Sequence, residues 1–329
     1  MKKILKFVLV IVLFIPVTVF AYSEYLIASG RNIGIELKSD GVLIVGSYKI
    51  DNYDALIDSS LKLGDIIIKV NNKRINSAKE FQKELKNNDS DKVNITYIRN
   101  NKEFNTNISL YFDSGEYKTG FYVKDGIKGV GTLTYIEPSN KDNGYKNTFG
   151  ALGHEIMEKS TKNMFNASSG TIFNSVVVGI TKSNDGSPGE KSARSNSSQI
   201  LGIVKENTSS GVFGNYNETL PNSKLYKVAK PDEVREGYAQ IMTTIDGDTI
   251  ESFDIKIIKL NKNSKTKNIL FEVTDKELLN KTGGIIQGMS GSPIIQNNYI
   301  VGAVNYVLVD SPKNGYGIFI TNMLDEANN

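Results

Sequence analysis

Gly288-Met289-Ser290-Gly291-Ser292-Pro293, then Ile294-Ile295, the turn Gln296-Asn297-Asn298, and the apolar run from Tyr299 to Val309 (YIVGAVNYVLV) form the stretch that decides the fold. Two runs of apolar, largely β-branched residues around a polar turn predict a β-hairpin. The glycines at 288 and 291 let the backbone turn tightly around Ser290, so that its hydroxyl and nearby backbone N–H groups can face a substrate carbonyl. Upstream, GVGTLTYI (129–136), TIFNSVVVGIT (171–181), SSQILGIV (197–204), AQIMTTI (239–245), FDIKIIKL (253–260) and NILFEV (268–273) repeat the pattern of short apolar segments punctuated by glycine. Residues 115–325 therefore read as an all-β unit, a sandwich or barrel.

A Gly-flanked serine is a weak nucleophile without a base beside it. The chain of 329 residues has one histidine, His154, in the turn-like Phe149-Gly150-Ala151-Leu152-Gly153-His154 that follows a strand-like segment. With no cysteine and a single imidazole, thiol nucleophiles and the usual zinc sites are excluded, and no metal or organic cofactor is expected. A balance of 39 basic against 36 acidic residues gives no nucleic-acid footprint. Hydrophobic residues at 39% and charged residues at 23% exclude wholesale disorder and a polytopic membrane protein. Asp275 has two readings: it precedes KELLNKT and Gly283-Gly284 and so fits a helix N-cap, and it could equally hold the imidazole; Asp185 and Glu158 are the other carboxylates considered.

The amino terminus carries three lysines within Met1 to Lys6 and then an uncharged apolar run, Phe7 to Tyr22. Residues 1–22 are read as a signal peptide, with cleavage near Ala21, or as a membrane anchor; both put the remainder on the far side of a membrane. Residues 30–112 form a separate small α/β unit, with a helix over SAKEFQKELKN that is capped by Ser77 and Glu80 and buries Phe81 and Leu85. Leu63-Gly64-Asp65-Ile66-Ile67 followed by Val70-Asn71 resembles the signature of PDZ domains, which implies peptide binding by strand addition. The family's carboxylate-binding loop and strand would fall on Arg31 to Leu37, with Ile33, Gly34 and Ile35 as contacts. The polar stretch 183–198 reads as a surface insert.

The motif around Ser290 is similar to the nucleophile loop of trypsin-like serine proteases, which implies a double β-barrel, with Ser290 as nucleophile and the N–H groups of Gly288 and Ser290 as oxyanion donors. Export segment, PDZ-like unit, TGFYVKDGIKGVGTLTYIEP, GALGH, VREGYAQIMTTIDG and VTDKELLNKTGGIIQGMSGSPIIQNNYIVGAV together resemble the stage IV sporulation protein B family. That resemblance implies a catalytic group of Ser290, His154 and Asp275. It further implies a peptidase exported across the forespore membrane, cutting itself in trans and a membrane-bound regulator of an intramembrane metalloprotease, so that sigma-K is activated. Two departures stand out: Asn305-Tyr306 replaces a Thr-His pair, and Glu158 replaces an Asp. The competing expectation is a catalytically inactive PDZ-containing scaffold of the sporulation septum.

Overall fold

The computed structural model describes residues 22–113, 115–139 and 146–328, so the apolar run behind the expected export lies, apart from Tyr22, outside the described residues. No helix among the described residues is long and apolar enough to cross a membrane. The fold is mainly β, as the glycine-punctuated pattern predicts.

Two closed six-stranded barrels make up most of the chain. In the second, Gly237–Asp246 pairs with Thr249–Leu260, and the ring continues through Ile269–Val273, Asn314–Phe319, Tyr299–Val307 and Pro293–Gln296 back to Gly237–Asp246. Alternation builds it: Phe253, Ile255 and Ile257 point inward while Asp254, Lys256 and Ile258 face outward. The hairpin predicted after Ser290 is present, turning at Asn297 and Asn298, whose φ values of 51° and 66° are those of a tight primed turn. Closure leaves no unpaired edge in the ring.

The first barrel is closed by Phe121–Glu137, Thr148–Ala151, Gly211–Tyr216, Glu190–Thr208, Ser169–Thr181 and, as its sixth stave, the first half of Asn32–Ser47. This corrects the expectation that Ile33, Gly34 and Ile35 line a peptide site. Residues 33–35 are paired on one side with 129–131 and on the other with 172–174, so no edge is left for a peptide strand. Ile33 and Ile35 are buried in the barrel core with Leu133 and Ile172. A Cβ on Gly34 would lie 2.0 Å from the Ser195 hydroxyl oxygen. Burying each isoleucine is worth about 1.5–3 kcal/mol, which favours the barrel assignment over an open groove.

At Gly41 the same strand changes core. Its φ of +120° and a would-be Cβ only 2.3 Å from the Ile67 carbonyl oxygen require glycine there. Beyond it, Val42 and Ile44 pack in a separate core with Phe81, Leu85 and Val93. The partner strand Phe121–Glu137 shifts register between Lys124 and Gly126, at the same level. The helix Ala78–Lys86 forms as predicted, with the Ser77 side chain accepting from the Glu80 N–H, while Glu80 reaches the Asn76 N–H. Asp65 of the Leu-Gly-Asp turn is buried and accepts from Arg99 Nε at 2.7 Å and Nη2 at 2.6 Å, and from the Lys62 N–H.

Candidate functional site

A cleft of about 480 Å³ runs between the barrels. The first barrel brings Leu152, His154 and Ile156 to it, and the second brings Ile285 to Gly288, Ser290 and Val304 to Val307. Two glycine-dependent turns meet here. After the Thr148–Ala151 strand, Leu152 and Gly153 both take positive φ (69° and 71°), reversing the chain so that His154 faces the cleft. A Cβ on Gly291 would sit 2.1 Å from the Thr132 carbonyl oxygen and 2.5 Å from the Leu152 nitrogen, so only glycine lets the serine turn dock against the histidine turn.

The serine turn is held from three sides. The Thr132 N–H donates to the Ser290 carbonyl at 2.9 Å, and the Thr132 hydroxyl donates to the Gly288 carbonyl at 2.8 Å. The Gly291 N–H donates to the Val304 carbonyl at 2.7 Å. Lys191 donates from its backbone to the Gln287 carbonyl, and Gln287 donates in turn to the Gly189 carbonyl. The N–H groups of Gly288 and Ser290 have no acceptor among the described residues, so both are available to donate to an oxygen in the cleft. The Ser290 hydroxyl makes a long 3.4 Å contact to the Asn305 carbonyl oxygen.

His154 is half-buried, and its Nδ1 lies 2.7 Å from the Glu155 carbonyl oxygen. A carbonyl only accepts, so Nδ1 carries the proton and Nε2 is left with its lone pair free to accept one. Burial lowers the His154 pKa below its ordinary value, with the Glu155 backbone contact and carboxylate opposing the shift. The imidazole is thus neutral, and able to accept a proton, at neutral pH.

Among the described residues, no carboxylate side chain is within hydrogen-bond distance of the His154 ring. Asp275 caps the Lys276–Thr282 helix, accepting from the Leu278 N–H at 2.9 Å and from the Asp254 N–H at 3.4 Å; Gly283 ends that helix in the left-handed region. The helix-cap reading of Asp275 is the one these contacts match, since both carboxylate oxygens accept backbone N–H groups. Glu158 is buried and committed to Lys124 Nζ (2.9 Å) and the N–H groups of Ser160 and Thr161. Asp185 sits exposed in the turn closed by Asn184 and Ser187.

Sequence reading missed two contributors. The stretch 183–198, expected as a surface insert, instead braces the serine turn: the Ser183 hydroxyl donates to the Ile285 carbonyl, and strand Glu190–Thr208 begins within it. Lys191 is buried with its stem under Gly288, where a Cβ would lie 3.1 Å from Lys191 Cδ, and its Nζ donates to the Thr243 hydroxyl at 3.1 Å. Burial pulls its pKa down to about 7. An isolated lysine in a polar run gives no sequence signal of burial.

A smaller recess of about 170 Å³ lies between the helix Ala78–Lys86 and the start of Phe121–Glu137, lined by Phe81, Leu85, Phe121 and Val123. Residues 121–124 pair with 43–47 on one side and have no strand partner on the other among the described residues.

The model of the SpoIVB peptidase S55 family matches residues 115–324, and that of the PDZ domain matches residues 32–110. No curated protein matches the chain. Among solved structures, the PDZ domain of the SdrC-like protein of Listeria monocytogenes is 24% identical over 26% of this chain and 90% of its own, with a TM-score of 0.23. The inactive form of the protease Rv3671c of M. tuberculosis H37Rv is 11% identical over 60% of this chain and 84% of its own, with a TM-score of 0.33. Human heparin binding protein is 10% identical over 55% of this chain and 73% of its own, with a TM-score of 0.28. With the family model covering residues 115–324, all of the second barrel and five of the six staves of the first, the chain belongs to the SpoIVB peptidase S55 family and is a serine peptidase that carries a PDZ domain.

Proposed function

We propose that this peptidase is exported across the forespore membrane during endospore formation, where it cuts itself in trans and a membrane-bound regulatory protein, releasing an intramembrane metalloprotease to activate sigma-K. The apolar run 7–22 behind its lysines supports export, and family membership supports the sporulation setting. Ser290 attacks the scissile carbonyl, His154 Nε2 takes the hydroxyl proton and later returns it to the leaving amine, and the N–H groups of Gly288 and Ser290 hold the oxyanion. Deacylation repeats the cycle with water as nucleophile. The protein substrate is gathered at the recess beside the helix Ala78–Lys86, where an extended segment can add to the open edge of residues 121–124.

The observation that carries this reading is the meeting of the Ser290 and His154 turns in one cleft beside two uncommitted N–H groups. Its test is self-cleavage of residues 23–329 followed by mass spectrometry. Wild-type fragments that vanish in both Ser290→Ala and His154→Ala support it, and fragments that persist without Ser290 sink it.

A further inference from the structure

Tyr306 belongs to two places at once. It lines the cleft between the barrels, where its ring stacks on the His154 imidazole at 5.5 Å between centroids, with 22° between planes. It also pairs across the sheet with Tyr316, which lines a neighbouring recess of about 330 Å³ on the second barrel. The Lys267 amine lies over both rings, 5.2 Å from the Tyr306 centroid and 5.4 Å from the Tyr316 centroid. Lys259 lines the same recess, and both lysines are exposed. Neither makes an ion pair among the described residues, whereas Lys262 of the same loop is taken up by Asp232. An aromatic face holds an ammonium through its quadrupole and neutralises none of its charge. Burial and then the Glu155 carboxylate raise the Tyr306 pKa, and that carboxylate comes from the first barrel and makes no ion pair with Lys267. The loop that carries Lys267 is fixed around Asn268, which is fully buried: its Nδ2 donates to the Asn261 and Ser264 carbonyls, and its Oδ1 accepts from the Phe319 N–H. The Lys267 N–H donates to the Ser264 hydroxyl, and Asn305 Nδ2 donates to the Thr266 carbonyl at 2.6 Å. The backbone is therefore held on both sides of the lysine.

We propose that Lys267, seated on Tyr306 and Tyr316 with Lys259 in the same recess, reads an acidic side chain of the substrate a few residues from the scissile bond. This rests on the reading of Ser290 and His154 as nucleophile and base. The distance follows from the ring contacts: steps of 5.5 and 5.2 Å lead from the imidazole through Tyr306 to the amine, and an extended chain advances about 3.3 Å per residue, so the side chain that meets Lys267 is about three residues from the bond cut. A carboxylate there meets uncompensated positive charge, and a basic side chain is repelled. The effect selects among substrates and leaves the chemical step to the serine and histidine turns. Because the lysines are exposed, it is worth about three- to fivefold for one charge, and it shrinks as salt screens the pair.

The test uses residues 23–329 and fluorogenic peptides that cover the bond the wild type cuts in the Ser290→Ala chain. The peptides carry Glu, Gln or Lys in turn at each of the four positions on either side of that bond. At one position kcat/KM is expected to favour Glu over Gln by about three- to fivefold, and Gln over Lys by a similar factor, at low salt. In Lys267→Glu the order inverts at that position alone, and both preferences fade as salt is raised from about 0.02 M to about 0.5 M. Each ratio is taken within one chain, so a general loss of activity in the variant cancels. Lys267→Gln serves should Lys267→Glu fail to show a cooperative thermal transition, and there the ratio of Glu to Lys peptides is expected to fall at least threefold. A uniform change across all peptides, with no position whose charge preference depends on residue 267, overturns the proposal. Cleavage that persists in Ser290→Ala overturns the assignment of the nucleophile instead. Labelled forms of the same peptides, titrated by fluorescence anisotropy into Ser290→Ala with and without Lys267→Glu, then decide the proposal by the same inversion.

Discussion

The two barrels share a strand count and differ in how they are assembled. The second is contiguous, six strands between Gly237 and Phe319. The first takes five strands from residues 121–216 and its sixth from residues 32–38, across an intervening unit with its own core. A barrel built from neighbours closes with short loops, whereas one that borrows a distant strand must close a long loop before that strand gains anything, at an entropic cost that rises slowly with length. The stability of the first barrel is thereby tied to residues that look, in sequence, like part of something else.

The sharpest way to break this comparison is to delete equivalent side chains. Ile33 and Ile241, both fully buried, lie in the first and second barrel cores. Ile33→Ala and Ile241→Ala are each expected to cost about 2–5 kcal/mol in denaturant unfolding, and both to reduce self-cleavage. If Ile33→Ala were nearly neutral, the borrowed stave would be dispensable.

A second, smaller effect concerns the residue that reaches from one barrel toward the other. Lys191 leaves a first-barrel strand and donates to Thr243 of the second. Its pKa of about 7 in the folded state lies below the ordinary 10.5, so the penalty for burying it is full below about pH 7 and fades as pH rises toward 10.5. Lys191→Met should therefore stabilise the protein by about 1–3 kcal/mol at pH 6, with the gain shrinking toward pH 10, as followed by thermal unfolding. A gain that did not depend on pH would assign the effect to packing alone.

Within the second barrel, Asp275→Ala should cost about 1 kcal/mol through loss of the helix cap, and Asp275→Asn only a few tenths, because Asn caps as well. The finest test reads the boundary between the barrels, where His154 sits. With its pKa lowered by burial and the neutral ring required, the acid limb of the kcat/KM profile should fall below pH 6.5, the ordinary histidine value. A limb at or above 6.5 would mean a ring more solvated, or more strongly paired with charge, than the structure has it.

How much of this was legible follows from the range of the physics involved. Local signals read well: Ser77 with Phe81 and Leu85 on their helix, Asn297-Asn298 at the hairpin turn, the Asp275 to Gly283 span as cap and stop. These depend on residues within a few positions of one another. The role of Ile33 to Leu37 was hidden, because an alternating apolar strand reads the same beside a peptide or inside a barrel. The imidazole's partner was also hidden, since a backbone carbonyl has no letter in the sequence and Tyr306 is 152 positions from His154. Lys191 was hidden for the opposite reason: its letter points to solvent and its surroundings to the interior.

The level at which one long strand changes core, Ser39 to Gly41, and its partner shifts register, Lys124 to Gly126, bears on how such a protein can vary over generations. Peptide-binding modules ordinarily spread between genes because they can be lifted out at a linker. Here an excision at residues 32 and 110 would carry away a stave of the first barrel, and with it one wall of the catalytic cleft at Ile35. Only an exchange cut near Gly41 and rejoined near Asp125 would respect both cores. The two parts of this chain are therefore expected to be inherited as one, and a recombinant that swaps the N-terminal unit at its sequence boundary should emerge without a working peptidase.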